Sequence, residues 1–246
     1  MAMNFFRSKL IPENHIAYIY DLVLNIIAPG NRAFVSPEIQ NCIDDILDES
    51  LPKGWRDNPS IVKEILGSFK KDFIYDQKYF PEYYAAYYLP NNLYKIQLMF
   101  LELFRLSKIS FSEKKLMVLD IGAAIGTTAW ALQDFYDILM NGLKLYGLNE
   151  TELPPMEIDS IEKVPNNIKF FNNVRARYHD NLSKVQVNEP ILGDVLKGAL
   201  EKVSLNKYDV IFASNVICEF PGYQEQKEFV EKIIASQKNK SACVFR

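Results

Sequence analysis

The chain has 246 residues, 48% of them hydrophobic and 24% charged, which is enough to build a sizeable core. Its 31 acidic and 28 basic side chains leave a net charge of -3, so no global field draws it to nucleic acid and any such binding needs a local patch. Cys42, Cys218 and Cys243 are odd in number and far apart, which excludes a disulfide framework or a paired-cysteine metal knuckle and points to a reducing, intracellular setting.

The opening "MAMNFFRSKL" has two basic residues but no continuous apolar segment or small-residue cleavage site behind it, so it does not read as a secretory signal. The apolar run from Ile16 to Ala28 is broken by Asp21 and Asn25 and is too short to span a bilayer. It predicts an amphipathic core helix from Pro12-Glu13 to Ile27, stopped by "APGN" at 28–31. Ser36-Pro37-Glu38, a cap followed by proline at the first helical position, opens a second helix with Ile39, Cys42, Ile43, Ile46 and Leu47 on one face. After the loop "LPKGWRDNPS" (51–60), helices are predicted over 60–73 and 91–106, with the tyrosine-dense "YFPEYYAAYYLP" between them. Tyr79, Tyr83, Tyr84, Tyr87 and Tyr88 could form a stacking platform for single-stranded RNA. At helical spacing, packing against a neighbouring layer to close a ligand pocket is the favoured use. No strand-like alternation appears, so residues 1–110 read as a helical N-terminal region.

From Lys115 the pattern changes. "KLMVLDIG" is a short, fully apolar strand, as expected where helices cover both faces of a parallel sheet. A helix (127–139), a strand "KLYGLN" (144–149), a proline-rich loop with helix-like residues after it, and a strand near "KVQVNEP" follow. Then come a helix (195–202), the strand "YDVIFAS" (208–214), a helix (223–237) and a last apolar piece, "SACVF". Strands alternating with helices predict a doubly wound, mostly parallel α/β sheet over 111–246.

The first strand-to-helix turn of such a sheet is the usual place for a nucleotide. Here it reads Asp120-Ile121-Gly122-Ala123-Ala124-Ile125-Gly126. Gly122 permits a positive φ and a close backbone approach, Gly126 lets the helix start against the strand, and Thr127 and Thr128 can cap or line the helix start. The turn lacks both the G-x-G-x-x-G of a dinucleotide fold and the G-K-[ST] ending of a phosphate loop. An aspartate two residues before the first glycine repels a phosphate but pairs with a cation such as an amino-acid ammonium. S-adenosylmethionine carries that group and a sulfonium, and no phosphate.

"VLDIGAAIG" resembles the first motif of the class I S-adenosylmethionine-dependent methyltransferases, in which an apolar strand runs into D/E-x-G-x-G-x-G. The resemblance implies a Rossmann-like methyltransferase domain. Its cofactor-binding residues would be Asp120, Gly122, Ala123, Ala124 and Gly126 in the turn, with Asn149 and Glu150 at the ribose after "YGLN". Asp194 in "ILGDV" would meet the adenine amino group, and Ser214 and Asn215 in "YDVIFASNVICEFP" the methionine end. Asp194 reads equally as a helix-capping residue, and Glu150 as a solvated loop charge. More narrowly, Tyr84, Leu89 and Pro90, then Gly126, Thr127 and Trp130, then Ser214, Glu219 and Pro221 are similar in type and order to the ribosomal small-subunit methyltransferase-like family of bacteria and mitochondria. That similarity covers roughly residues 80–225 and implies ribosomal RNA or the small ribosomal subunit as partner, in the cytoplasm or, in a eukaryote, the mitochondrial matrix.

The chain also departs from that family. It ends at "SACVFR", inside the expected fifth strand and without the family's cysteine cluster, so a C-terminally shortened sheet is expected: either the sequence is a fragment, or the N-terminal helices, a partner or self-association covers the open edge. "SNVICEFP" lacks an Asn/Asp-Pro-Pro-Tyr-like motif that positions a nucleophile, which leaves Glu219 as a structural hydrogen-bonding residue and no catalytic residue assigned. "NNIKFFNNVRARYHD" (166–180) gathers Arg175, Arg177 and His179, either as a phosphate contact or as a solvated surface; His15 and His179 are too isolated to suggest metal. Three functions fit the sequence: a methyltransferase acting on ribosomal RNA, a small-molecule methyltransferase with a helical lid, and a non-catalytic binding or assembly protein. No membrane segment is expected.

Overall fold

The computed structural model describes residues 13–31, 35–60, 78–106, 115–145, 153–178, 184–214, 216–236 and 242–245. Among these, the helices are α1 (Glu13–Ile27), α2 (Pro37–Ser50), α3 (Phe80–Tyr87), α4 (Leu89–Arg105), α5 (Thr127–Leu145), α6 (Pro165–Arg177) and α7 (Tyr223–Ser236). The strands are β1 (Leu116–Ile121), β2 (Met156–Glu162), β3 (Val185–Val187), β4 (Ile191–Leu192), β5 (Val210–Ala213) and β6 (Ala242–Phe245). The predicted helix over 60–73 falls almost wholly outside the described residues.

Local sequence sets the first helices much as expected. Ile19, Val23 and Ile27, spaced by four, bury one stripe of α1. Ser36 accepts a hydrogen bond from Ile39 N–H with Pro37 at the first helical position of α2, so the cap satisfies an amide that has no partner within the helix.

Every strand pair is parallel, in the order β3-β2-β1-β5-β6, with β4 continuing along the β3 side of β2. The chain winds outward from β1 through β2 to β3 and then returns to the other side of β1. The direction of winding therefore reverses between β1 and β5, where a doubly wound sheet leaves its ligand crevice. β6 pairs with β5 at the far side, in the position expected for the fifth strand.

Strand alternation divides the core into two layers. Leu116, Val118, Met156, Ile158, Val210 and Phe212 face a layer that includes residues of α1, α2, α4, α5 and α6. Leu119, Ile121, Ile161, Ile211 and Ala213 face the other, with Leu200, Leu205, Tyr208, Phe229 and Ile233. Phe100 of α4 stacks on Phe212 of β5 at 6.5 Å and meets Phe135 of α5 edge-on at 5.2 Å. The buried Gln97 amide donates to Asp134 at 2.8 Å across the same α4–α5 contact. The N-terminal helices thus cover one face of the sheet and share its core.

The second strand departs from the prediction. Lys144 and Leu145 continue α5, residues 146–150 lie outside the described set, and the strand beside β1 is "MEIDSIE", read from sequence as loop and helix-like residues. Its acids disguise it. Met156 and Ile158 fill the helical layer, while Glu157 and Asp159 on the other face are paired: Glu157 with Lys115 and Asn188, Asp159 with Asn188, Lys207 and Tyr208. The predicted helix over 195–202 is two short 3-10 turns, Val195–Lys197 and Ala199–Lys202, broken where Gly198 takes φ +85°. No helix among the described residues is long and apolar enough to cross a membrane.

Candidate functional site

Asp120, the penultimate residue of β1, lies in register with Ser160 of β2 and Phe212 of β5, at the crevice between the two halves of the sheet. It is 1% exposed, and neither carboxyl oxygen has a hydrogen-bond partner among the described residues. Burial pushes its pKa up to about 7; the nearby Thr128 hydroxyl favours the charged form without standing in hydrogen-bonding geometry, and the Glu162 charge disfavours it. Ser160 Oγ and Thr127 Oγ1 are also buried with no partner among the described residues. Such unmet buried polar atoms mark a place built for something else to complete.

Three left-handed residues bend the chain from β1 into α5: Gly122 at φ +76°, Ala124 at φ +49° and Gly126 at φ +91°. Ala124 stands where the resemblance places a glycine and pays for its Cβ. Ala124→Gly should therefore raise stability by about 1 kcal/mol, read as a higher urea midpoint at unchanged slope. A lower midpoint would show that this turn is not strained.

Four of the turn's amides are taken up internally. Gly122 N–H and Ala123 N–H both donate to Ile161 O, at 2.9 and 3.1 Å, and Gly126 N–H to Ala123 O at 2.8 Å. Ala124 N–H donates to Glu162 Oε2 at 2.7 Å, and the Trp130 indole N–H holds Ile125 O at 2.9 Å. A phosphate cradle needs several of these donors free and aimed at the ligand. With these four donors occupied and two buried carboxylates at its base, this turn favours a cation over a phosphate.

Glu162 was missed by the sequence reading. It ends β2, is 4% exposed, and accepts from Ala124 N–H, Val164 N–H at 2.8 Å and the Asn167 amide at 3.3 Å. Burial raises its pKa against the pull of these donors. The available signal was the alternation in "MEIDSIE" closing on an acid just before Pro165. Asn149 and Glu150, expected at the end of the second strand, lie outside the described residues, and the acid at the end of that strand is Glu162.

Gly193 N–H donates to Glu162 O at 2.9 Å, which brings the stretch after β4 beside the turn. There Asp194 caps the following 3-10 turn, its Oδ1 accepting from Leu196 N–H at 2.9 Å. Ser214 follows β5, and its carbonyl oxygen would lie 3.8 Å from a Cβ added to Gly122. Val216 Cγ2 would lie 3.2 Å from the same Cβ, so this glycine fits only because it has no side chain. Asn215 lies outside the described residues. Glu219 forms an ion pair with Lys163, joining the segments after β5 and β2 across the end of β1, which agrees with a structural role. The structure thus gathers Asp120, Gly122, Ala123, Ala124, Gly126 and Ser214 with the unforeseen Glu162, and sets Asp194 alongside.

The other candidates separate. Tyr83 is buried, whereas Tyr87 and Tyr88 are 46% and 40% exposed, so the tyrosine cluster divides between packing and surface. Arg177 is held by both Glu49 oxygens, and an Arg175 nitrogen lies 3.9 Å from Glu189. No group of histidine, cysteine and acidic side chains suited to a metal occurs among the described residues.

No family model matches the chain, and no curated protein matches its sequence. Solved structures with a similar course include the precorrin-6y C5,15-methyltransferase of Geobacter metallireducens, 16% identical over 56% of this chain, with a TM-score of 0.34. This chain spans 57% of that protein's length. The CMeT domain of the citrinin polyketide synthase is 14% identical over 94% of this chain and 71% of its own, at TM-score 0.45. A methyltransferase of Podospora anserina solved with S-adenosylhomocysteine is 13% identical over 87% of this chain and 72% of its own, at 0.35. None reaches a TM-score of 0.5, so what the site can do rests on this chain's own residues.

Proposed function

We propose that the crevice at the ends of β1, β2 and β5 binds S-adenosylmethionine and that the chain is a methyltransferase. One observation carries the reading: a buried Asp120 with no hydrogen-bond partner among the described residues, beneath a turn four of whose amides are already bonded, a combination that suits a cationic adenosyl ligand better than a nucleotide phosphate. Asp120 would take the amino-acid ammonium, directly or through water. Gly122, Ala123, Ala124 and Gly126 would form the wall against the ligand, with Ser214 and Asn215 at the methionine end. Glu162 takes over the ribose role that the family resemblance gives to Asn149 and Glu150, provided the Ala124 amide is released. Asp194 would reach the adenine amino group from its capping position. The cofactor supplies an electrophilic methyl group; this chain's residues hold and align the reactants and exclude water, which by proximity alone accounts for a large part of such a rate.

For the acceptor, a small molecule is favoured over ribosomal RNA. Arg177, one of the two arginines that would form a basic rim, is bound to Glu49, Arg175 stands opposite Glu189, and the chain is net acidic. A ribosomal partner rests only on the sequence similarity of the tyrosine segment, the start of α5 and the loop after β5. The second reading is a binding protein without turnover, favoured by the Lys163–Glu219 ion pair, which ties up the one carboxylate of the loop after β5.

Calorimetric titration of the purified chain with S-adenosylhomocysteine tests the cofactor. Micromolar binding that is lost on Asp120→Ala or Gly122→Val is expected. A folded chain that binds neither S-adenosylhomocysteine nor S-adenosylmethionine would sink the methyltransferase reading and leave a binding or assembly protein that has only the fold.

A further inference from the structure

Away from the crevice, a cleft of about 390 Å³ opens at the outer edge of the sheet. Its walls are Trp130 and Gln133 from α5, Arg175 and Tyr178 at the end of α6, and Val185 and Val187 of β3. Val185 and Val187 face the helical layer beside their register partners Met156 and Ile158. The Trp130 ring is shared, lining the cleft while its N–H holds Ile125 O in the turn.

Two side chains that line this cleft carry polar groups without a hydrogen-bond partner among the described residues. Gln133 is 5% exposed, and no hydrogen bond to its amide occurs among the described residues. Arg175 Nε is buried with no partner among the described residues, and the guanidinium's contact to Glu189 is loose, at 3.9 Å to a carboxylate on a 67% exposed side chain. An unmet amide and an unmet guanidinium N–H facing one space call for a ligand that accepts from the arginine and both accepts from and donates to the glutamine.

The geometry points to a second binding site in this cleft, for a small carboxylate that carries a neutral polar group such as a hydroxyl. The guanidinium edge, Nε–H with its neighbouring N–H, matches a carboxylate's two oxygens, and the incoming group displaces Glu189 from its long contact. The hydroxyl meets the Gln133 amide, and Val185, Val187 and Trp130 exclude water from the rest. The volume lies within the range of small-molecule sites. This site is independent of the S-adenosylmethionine reading.

The sequence has two tryptophans, so Trp55→Phe leaves Trp130 as the sole indole reporter. In that chain, malate is expected to change the Trp130 fluorescence saturably, with sodium chloride at matched ionic strength producing no saturable change. Arg175→Met and Gln133→Met should each weaken malate binding about tenfold or more. Arg175 is partly exposed, so its variant provides the test even if Gln133→Met does not fold. The proposal is overturned by the absence of a saturable response, by a response equal to that of chloride, or by unchanged affinity in Arg175→Met. It is also overturned if inorganic phosphate saturates the signal and malate does not, because the site would then be one for phosphate.

Discussion

Gly126→Ala is expected to destabilise the protein by roughly 3 kcal/mol, through overpacking and backbone strain together. A Cβ at this position would lie 2.7 Å from the Phe171 ring and 2.7 Å from Trp130 Nε1. Neither can move aside: Phe171 and Trp130 are 0% and 1% exposed and pack on each other at 5.0 Å, and the Trp130 N–H holds the turn through Ile125 O. The backbone at φ +91° adds strain for any residue with a side chain. Gly54→Ala is the matched control. It too has a positive φ, +74°, but no atom within 4 Å of the added Cβ, and it should cost about 1 kcal/mol. Urea unfolding of both variants separates the two contributions; equal losses would show that the Gly126 contact relaxes and that only the φ matters.

Asp120→Asn is expected to stabilise the fold above pH 7 while weakening ligand binding, a division characteristic of functional groups. With its folded pKa raised by burial to about 7, well above the usual carboxylate range, Asp120 holds a proton in the folded chain that the unfolded chain has already lost. Its contribution is therefore complete below about pH 4, declines as pH rises towards 7 and levels off beyond, with a slope of up to about 1.4 kcal/mol per pH unit. Glu162, Asp134 and Asp209 are raised by burial too, so the wild-type slope is a composite. The difference between wild type and Asp120→Asn isolates Asp120, and roughly 2 kcal/mol in favour of the variant at pH 8 is expected. An ammonium ligand binds the ionised form, so affinity for S-adenosylhomocysteine should tighten by up to about tenfold per pH unit as pH rises towards 7 and then level off. Calorimetry in buffers of different ionisation enthalpy would count the proton released. Affinity that does not vary with pH, or wild-type affinity in Asp120→Asn, would remove Asp120 from the site.

The strand-to-helix turn was legible because its signals are local. An apolar run ending in Asp120 and glycines at 122 and 126 sufficed to place β1, the bend and the start of α5. The caps of α2 and the stripe of α1 were equally readable, since each depends on residues within a turn or two of one another. β2 was not. Its Glu157 and Asp159 look wrong for a central parallel strand until Lys115, Asn188, Lys207 and Tyr208 arrive from distant parts of the chain to pair them.

The same division runs through the site. Sequence alone determined the fold class, the helical character of residues 13–27, 37–50 and 91–105, and the place of Asp120, Gly122 and Gly126, because periodicity and backbone sterics act over a few residues. Tertiary structure alone decided that Glu162 closes the turn, that α4 covers β5, that Glu219 is tied to Lys163, and that Gln133 and Arg175 share a cleft. Those pairings join residues tens of positions apart. Whether a buried carboxylate or amide finds a partner is settled only when packing brings the distant segments together and removes the water that would otherwise have satisfied it.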